Sequence, residues 1–328
     1  MYLDDTGSRI EDPEILERIR ALTIPPAWRE VWICDEPLGH LQATGSDAAG
    51  RKQYLYHPRW REQRDRQKFH KMVRFAGALP DLRRRVAADL DGTDPTRERV
   101  LACAARLLDL GLFRIGSEQY GVQAGGLGLA TIRSEHVSFA EAGRSMVFDY
   151  PAKSGVRRVQ AIDDPACLEL IRSLARRRSG GPELLAFREG RRWERLRSDD
   201  INEYLKRQMG EDFSAKDFRT WNATVLAALA LAIDGRGAET KTARKRAIAG
   251  AVRGVAEMLG NTPAVAKRAY IDPRVVDRYL SGWTIAGAVE EIGNLDVPDE
   301  PTRERLEAAV LDLLARDTGS PAVMKIGA

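Results

Sequence analysis

The spacing of apolar residues changes near residue 58, and this change restricts the possible folds more than any other feature. Residues 13–21 predict a short helix, which the prolines of "IPPAW" end. From there to about residue 57 the spacing is typical of short strands: "VWICDE" and "GHLQATGSD" predict two of them, and "RKQYLYH" alternates between two faces. From residue 58 the spacing becomes mostly helical, and a heavily charged helix is predicted over residues 58–75. A length of 328 residues suits two domains. We therefore predict a small mixed domain over residues 1–75 and a mainly helical domain over residues 76–328.

The second domain is predicted to consist of helices beside one small sheet. "LATIRSEHVSF" and "SMVFDYPAKSGVRRVQAI" indicate the strands of this sheet, and a helix over "DPTRERVLACAARLLDLGLF" precedes them. Further helices are predicted near residues 164–178, 198–209, 217–233, 240–259, 263–270, 273–281 and 302–316. The segment "DTGSPAVMKIGA" is expected to fray. The predicted fold class is α+β, with a β-sheet in the small domain and a β-hairpin sheet in the helical one.

Membrane, secreted and disulfide-bonded classes do not suit this sequence. No apolar run approaches the roughly 20 residues that a membrane span needs. The chain begins without a basic segment followed by an apolar one, so we expect no secretory signal. Cys34, Cys103 and Cys167 lie far apart without CxxC spacing. This pattern predicts a reducing cytoplasm, with neither disulfides nor a cysteine zinc site.

Positive charge is concentrated in one part of the chain. The net charge is only +4, yet residues 40–72 hold eight Lys and Arg against three Asp and Glu. Such a block indicates an anionic partner such as nucleic acid. Arginine dominates the basic residues, and its planar fork matches phosphate oxygens. The abundance of Ala, Arg and Gly is also what a GC-rich genome would produce, so the total arginine count alone carries no function.

Several short motifs that would indicate a cofactor are incomplete. "GRGAETKT" has Thr240 where a phosphate-binding loop needs its second glycine. "GGLGLA" lacks the final glycine of a dinucleotide fingerprint and precedes a strand. The four histidines have no metal-site spacing, and none follows His136. We therefore expect no nucleotide, no metal and no serine–histidine chemistry in the second domain.

Four stretches of the second domain place cations, an amide and a phenol in a fixed order. The stretches are "GLFRIGSEQY", "YPAKSGVRR", "KDFRTWNATV" and "LGNTPAVAKRAYIDP". They carry Arg114, Lys153, Lys216, Arg219, Asn261 and Tyr270. Taken singly, each residue has a structural explanation: Arg114 could bind the carbonyls that end a helix, Arg219 could pair with Asp217, and Tyr270 could pack. Their joint order is what needs explaining.

The order Arg–Lys–Arg–(His or Asn)–Tyr resembles the catalytic set of type IB DNA topoisomerases, in the bacterial branch related to the small poxvirus enzyme. "RIRALTIPPAW", "GHLQATGSDAAGRKQYLYHPRWRE" and "KDFRTW" also resemble this family, over nearly the whole chain except about the last 45 residues. The resemblance implies the catalytic fold shared by tyrosine recombinases and these topoisomerases. It also implies a catalytic set of Arg114, Lys153, Arg219, Asn261 and Tyr270. Many relatives have histidine where Asn261 stands.

The resemblance implies relaxation of supercoiled double-stranded DNA by transient cleavage of one strand, without ATP or metal. A tyrosine ester keeps the energy of the broken phosphodiester, so Tyr270 suits the nucleophile. Guanidinium groups can bind the non-bridging oxygens of the transition state. Lys153 would protonate the leaving 5′ oxygen if nearby cations lower its pKa. We expect a monomer that clamps duplex DNA in the cytoplasm, associated with the nucleoid.

The resemblance also implies a DNA-contacting face in the first domain. Glutamine and arginine can read base edges, whereas lysine and tyrosine more often contact phosphates. A merely solvated strand face is the alternative. With one lysine of the second domain, the predicted DNA contacts are Gln42, Thr44, Arg51, Lys52, Tyr54, Tyr56 and Lys216.

Two other functions remain open from the sequence. A tyrosine recombinase would share the chemistry, but it would carry a His-x-x-Arg box where this chain has "KDFR", and it would usually lack strands near its start. A DNA-binding clamp without catalysis would not need all five catalytic residues.

Overall fold

The computed structural model describes residues 1–116, 126–140, 143–210, 213–293 and 299–326. The chain divides into two compact units, Met1–Lys71 and Met72–Ala328. This division falls four residues before the boundary suggested by the sequence. None of the helices in the described ranges is long and apolar enough to cross a membrane.

The first unit contains a short helix and an antiparallel three-stranded sheet. Asp12 caps the helix by accepting hydrogen bonds from the N–H groups of Glu14 and Ile15, and Pro13 occupies its first turn. The strands are ordered β1-β2-β3. These elements are α1 (Pro13–Ala21), β1 (Arg29–Ile33), β2 (Leu41–Ser46) and β3 (Lys52–Tyr56).

Helix α2 (Pro58–Leu90) passes from the first unit into the second and is longer than the predicted helix over residues 58–75. It contains Pro80, which from sequence alone indicates a break. Its buried apolar residues recur every three or four positions on both sides of the proline, so one continuous stripe faces the core. In the second unit this stripe consists of Met72, Phe75, Leu79, Leu82 and Val86.

The second unit is mainly helical. The predicted helices from residue 164 onwards are confirmed to within about two residues, except that the first of them ends at Ala175. A short helix over Ala286–Ile292 was not predicted. In chain order the helices are α3 (Arg97–Gly111), α4 (Pro165–Ala175), α5 (Ser198–Met209), α6 (Ala215–Asp234), α7 (Lys241–Leu259), α8 (Pro263–Ala269), α9 (Pro273–Leu280), α10 (Ala286–Ile292) and α11 (Glu300–Ala315).

Small antiparallel sheets complete this unit. The predicted strand over residues 129–139 is mostly wrong, because the first part of that segment forms two 3-10 turns and only its last three residues pair with a neighbour. The predicted hairpin is confirmed, and Tyr150 lies opposite Arg158 in it. The strands are β4 (Val137–Phe139), β5 (Ser145–Pro151), β6 (Arg157–Asp163), β7 (Ala186–Glu189), β8 (Arg192–Arg195), β9 (Trp283–Thr284) and β10 (Met324–Lys325).

The C-terminal segment is ordered, which corrects the expectation that it frays. Strand β10 pairs with β9, and Val323 is buried. Gly287 lets the segment pack tightly, since a Cβ on Gly287 would lie 2.0 Å from the carbonyl oxygen of Pro321. Backbone pairing and one buried side chain outweigh the polar composition that suggested a loose tail.

Helix α3 lies at the centre of the second unit, in contact with α4, α5 and α6. Aromatic side chains pack beside it: the ring of Phe75 meets Phe218 edge-on at 5.0 Å and Phe213 at 5.4 Å. The ends of α3, α6 and α7 meet at one edge of this core, and the predicted catalytic residues lie there.

Candidate active site

Arg219 is the most deeply buried of the predicted catalytic residues. Helix α6 begins four residues earlier, where Asp217 accepts a hydrogen bond of 2.8 Å from the N–H of Ser214. One turn into the helix the Arg219 side chain is only 3% exposed. Its guanidinium donates to the carbonyl oxygens of Leu112 and, at 2.9 Å, of Leu259.

These two carbonyls explain how a cation is tolerated in the core without a carboxylate. Leu112 caps the C-terminal end of α3, and Leu259 is the last residue of α7. The negative ends of both helix dipoles therefore point at the guanidinium. Arg219 does not pair with Asp217, the structural role that its position in the sequence left open.

Tyr270 lies beside this cation. Its ring centre is 5.2 Å from the guanidinium carbon of Arg219, and its side chain is half-buried. Burial is the largest single influence and raises the pKa of the Tyr270 phenol, whereas the positive charge of Arg219 and hydrogen bonding to it lower that pKa. The charges of Arg114 and Lys216 lower it further, so that the net pKa falls below the ordinary value. The phenol therefore loses its proton more readily than an ordinary tyrosine.

The backbone around Tyr270 is fixed by helix α6. Tyr270 caps the C-terminal end of α8, and its N–H donates to the carbonyl of Ala266 at 3.0 Å. The hydroxyl of Thr224 lies 3.3 Å from the carbonyl oxygen of Tyr270 and accepts a hydrogen bond of 3.1 Å from the N–H of Asp272. Ile271 is buried in the core next to it. The phenol therefore projects from a rigid turn, and no pattern in the sequence indicates this role of Thr224.

Arg114 and Asn261 are brought together by the turn that follows α7. Gly260 has a φ of +60°, the left-handed conformation that ends a helix and that glycine adopts at little cost. The Arg114 guanidinium donates to the Gly260 carbonyl at 2.9 Å and to the Asn261 side-chain oxygen at 2.5 Å. Because that oxygen is occupied, Asn261 presents its Nδ2 amide as a donor.

Two buried donors of the site have no hydrogen-bond acceptor within the described part of the chain. They are Nε of Arg219 and Nδ2 of Asn261. A buried donor without an acceptor costs about 1–3 kcal/mol. Native proteins rarely retain such groups unless another molecule supplies the acceptor. An anion with several oxygens would satisfy both.

Lys153 lies in a short turn over residues 153–155 between β5 and β6, and its side chain is exposed. A neighbouring segment holds this turn and Arg114 in register. A Cβ on Gly126 would lie 2.6 Å from the Lys153 Cα, and one on Gly128 would lie 2.6 Å from the Arg114 carbonyl oxygen. Gly126 and Gly128 are therefore close-approach residues, which the comparison with a nucleotide motif did not suggest.

A cleft of about 420 Å³ opens beside these groups, and two of the residues that line it, Arg158 and Gln160, were not predicted from the sequence. Its polar lining includes Arg114 and Lys153 from the predicted set. Arg114, Arg158 and Tyr270 are the groups whose charges act on Arg219. Burial and Arg114 lower the pKa of Arg219 to about 10, which leaves it protonated at neutral pH. The arrangement suits a polyanion.

The predicted DNA contacts of the first unit divide into two groups. Thr44 lies opposite Tyr54 and Trp32 in the sheet, so these three side chains share one face, and the two aromatic ones are about half exposed. Lys52 is exposed near this face. Tyr56 stacks on the ring of Trp60 at 4.3 Å.

Gln42 and Arg51 have partners within the first unit. Gln42 is 3% exposed, and its amide nitrogen donates to three backbone carbonyls, including that of Gly39 at 2.7 Å. Its structural role leaves no free group for DNA, so Gln42 is removed from the predicted contacts. Arg51 is exposed but pairs with Asp47, whose pKa it lowers by hydrogen bonding. Lys216, in the second unit, is exposed at the start of α6.

Within the described ranges, no group of three or more His, Cys, Asp or Glu is placed so that it could hold a metal ion.

Comparison with known proteins places these features in a family. The model of the eukaryotic DNA topoisomerase I catalytic core matches residues 57–282, and the model of the bacterial DNA topoisomerase IB N-terminal domain matches residues 1–47. DNA topoisomerase 1B of Acanthamoeba polyphaga mimivirus is 28% identical over 285 residues, which cover 85% of this chain and 83% of the viral one. DNA topoisomerase 1B of vaccinia virus (strain Copenhagen) is 22% identical over 93% of this chain and 90% of its own. DNA topoisomerase 1 of Schizosaccharomyces pombe is 29% identical over 49% of this chain, a stretch that covers 19% of the yeast protein. The chain belongs to the type IB DNA topoisomerase family.

Proposed function

We propose that this protein relaxes supercoiled duplex DNA by cutting and rejoining one strand through Tyr270. The observation that carries the proposal is the convergence of Tyr270 with Arg219, Arg114 and Asn261, with two buried donors left unfilled. The non-bridging oxygens of a phosphodiester fit these donors. Membership of the topoisomerase family supports the same reaction and disfavours the recombinase and the non-catalytic clamp.

In the cleavage step, the Tyr270 phenol loses its proton to water, and its oxygen attacks phosphorus. The bond from phosphorus to the 5′ oxygen breaks, and Lys153 donates a proton to that oxygen. The strand then ends in a 3′-phosphotyrosine and a free 5′-hydroxyl. The lowered pKa of Tyr270 favours attack, and it equally favours departure of the phenolate when the hydroxyl rejoins the strand. Rotation between the two steps removes supercoils.

The transition state carries additional negative charge on the non-bridging oxygens. Arg219 offers its free Nε–H and Arg114 its guanidinium face, while Asn261 donates from Nδ2. Because the cations are already held by backbone carbonyls, little reorganisation is needed when this charge develops. Asn261 has no titratable group, so its role is hydrogen bonding rather than proton transfer.

The first unit is proposed to provide DNA contacts through the face that carries Thr44, Lys52 and Tyr54, with Arg51 and Tyr56 beside it. Exposed aromatic and basic side chains support this role. We further propose that the second unit has the catalytic fold of tyrosine recombinases and type IB topoisomerases, and that the protein acts as a monomer without nucleotide or metal. A cytoplasmic, nucleoid-associated location stays a prediction.

The test is relaxation of supercoiled plasmid with chelator present and ATP absent. Wild-type protein should convert the plasmid to a ladder of topoisomers. Tyr270→Phe should abolish relaxation and keep DNA affinity within about twofold, because only the nucleophilic oxygen is lost. Tyr279→Phe is the matched control, since its hydroxyl donates to the Gly235 carbonyl at 3.0 Å in the buried core. Relaxation by Tyr270→Phe would contradict the proposal, and joining of two DNA sites would support a recombinase.

A further inference from the structure

Arg158 is a cation of the site that the catalytic set does not include. It lies on β6 opposite Tyr150, on the side of the hairpin that faces the core. Its side chain is half-buried, and its Nε donates to the Gln160 side-chain oxygen at 2.9 Å. Both residues line the cleft that also contains Arg114 and Lys153.

Two guanidinium groups approach the same turn. A Cβ placed on Gly260 would lie 3.4 Å from Nη1 of Arg158 and 3.9 Å from Nη1 of Arg114. Burial and the charge of Arg114 lower the pKa of Arg158. In the described ranges no carboxylate forms an ion pair with Arg158. Its repulsion from Arg114 is therefore not offset by a neighbouring acid.

The adjacent residue on the same strand shows the contrast. Arg157 is exposed and forms a two-pronged ion pair with Asp149, with Nε donating at 2.8 Å. This pair raises the pKa of Arg157, whereas that of Arg158 is lowered. Both arginines line the cleft, but alternation along the strand gives Arg157 a carboxylate and places Arg158 on the side that faces the core, without one in the described ranges.

Gln160 adds a second, independent observation. Its side-chain oxygen is occupied by Arg158, and its Nε2 is buried without an acceptor in the described part of the chain. A buried amide donor next to an unneutralised guanidinium is a suitable site for an anionic oxygen. The donors of Arg219 and Asn261 are already assigned to the scissile phosphate, so these two groups are available for another one.

We propose that Arg158 and Gln160 form a second phosphate site, which binds a backbone phosphate next to the scissile one on the strand that is cut. The proposal rests on the function proposed above. The site positions the strand so that the scissile phosphorus faces Tyr270, and Arg158 acts through charge and hydrogen bonding without entering the covalent step.

The test measures single-turnover cleavage of a short duplex by wild-type, Arg158→Gln and Arg157→Gln proteins. The substrates carry normal phosphates or one neutral methylphosphonate beside the cleavage point. Arg158→Gln should cleave the normal duplex about ten- to a hundredfold more slowly, the range for losing one charged hydrogen bond. Arg157→Gln should stay within about twofold of wild type, because Asp149 already neutralises its charge in an exposed ion pair.

The decisive comparison combines both changes. At the phosphate bound by Arg158, a methylphosphonate should slow the wild-type protein but slow Arg158→Gln no further. Independent slowing at every position, or normal cleavage by Arg158→Gln, would overturn the second site while leaving the proposed function intact. Absence of a covalent adduct with wild-type protein would instead overturn the function. If Arg158→Gln does not fold, Arg158→Met is measured with the same substrates, with the same loss of coupling expected.

Discussion

Two arginines of the second unit are equally buried, but one is bound by carboxylates and the other by backbone carbonyls. Arg83 and Arg219 are each 3% exposed. Arg83 binds both oxygens of Asp109 and both of Glu307, at 2.8 to 3.1 Å, and despite its burial these carboxylates raise its pKa. Arg219 donates to backbone carbonyls and lies beside the Tyr270 phenol, and burial and the charge of Arg114 lower its pKa.

The difference separates a structural cation from a functional one. The ion network of Arg83 joins α2, α3 and α11, and the carboxylates of Asp109 and Glu307 neutralise this arginine. Around Arg219 and Arg114 the cations are held in place by helix ends, and in the described ranges no carboxylate forms an ion pair with them. A substrate phosphate would supply the missing negative charge, so the free energy gained there is available for binding and catalysis.

The largest expected effect is the loss of catalysis when Arg219 is replaced. Arg219→Met should reduce the rate of covalent adduct formation by about three to five orders of magnitude, the range for an arginine that stabilises a phosphoryl-transfer transition state. Single-turnover assays with a short duplex measure this rate. Replacing an unneutralised buried charge with an apolar chain of similar length should leave the stability of the fold equal or higher. A large fall in the free energy of unfolding with an unchanged cleavage rate would mean that Arg219 is a structural cation rather than a catalytic one.

At the neutralised cation the effect should be on stability instead. Arg83→Met should lower the free energy of unfolding by about 3–5 kcal/mol, because Asp109 and Glu307 would stay buried without their partner. Urea denaturation at neutral pH measures the loss. The folded fraction should cleave DNA at nearly the wild-type rate. Unchanged stability would show that the network is not what holds these helices together.

The same network should be sensitive to acid. Burial raises the pKa of Asp109, but the charges of Arg303 and Arg83 outweigh it and lower the pKa to about 2. Ionised Asp109 therefore stabilises the fold above its unfolded pKa of about 4, and this contribution is lost as pH falls toward 2. The loss should be about 2 kcal/mol. Urea denaturation between pH 5 and 2 should show a smaller decrease for Asp109→Asn than for wild type, and an equal decrease would contradict this.

At the catalytic cations, pH should change a rate rather than stability. The charge of Arg114 helps to lower the pKa of Tyr270, so removing that charge should raise it. The rise of the cleavage rate with pH should therefore lie at higher pH in Arg114→Gln than in wild type. Single-turnover rates across the pH range give the profile. A profile that keeps its position while the rate falls would mean that Arg114 does not act on the nucleophile.

The smallest effect is expected on the exposed face of the first unit. Lys52→Gln should weaken DNA binding uniformly across sequences and reduce the slope of log affinity against log salt by about 1. Titrations at several salt concentrations measure both quantities. Glu62→Gln, on the exposed first part of α2, is the control and should not reduce the slope. No change in slope for Lys52→Gln would remove this residue from the proposed DNA contacts.

Local patterns were sufficient for most of the fold. Caps such as Asp12 and Thr240, and prolines in the first turn of a helix, mark helix starts at close to the observed positions. The pattern failed where distant packing decides: Pro80 stays within a helix, and Val323 anchors a segment that looks loose in sequence. The residues next to Pro80 do not reveal the buried stripe of the whole helix, and those next to Val323 do not reveal that β10 pairs with β9.

The candidate site was predictable in its residue types but not in its environment. The ordered set of Arg114, Arg219 and Tyr270 could be named from the resemblance. Arg219 is held by carbonyls of two helix ends that are distant in sequence, so its environment could not be predicted. Gln42 is buried and binds the backbone of a turn, and its burial was not visible in the sequence either. The sequence does not indicate Arg158 as a residue of the site. Its neighbour Arg157 has the same side chain, and only the alternation of side chains along the strand separates their positions.

The most direct test of the proposed chemistry traps the covalent intermediate. Wild-type protein is mixed with a duplex that loses its 5′ fragment after cleavage, denatured, digested and analysed by mass spectrometry. We predict a nucleotide adduct on the peptide that contains Tyr270, attached through phosphate at the 3′ end, and none with Tyr270→Phe. An adduct on another residue, or DNA cleavage without any adduct, would contradict the assignment of Tyr270 as the nucleophile.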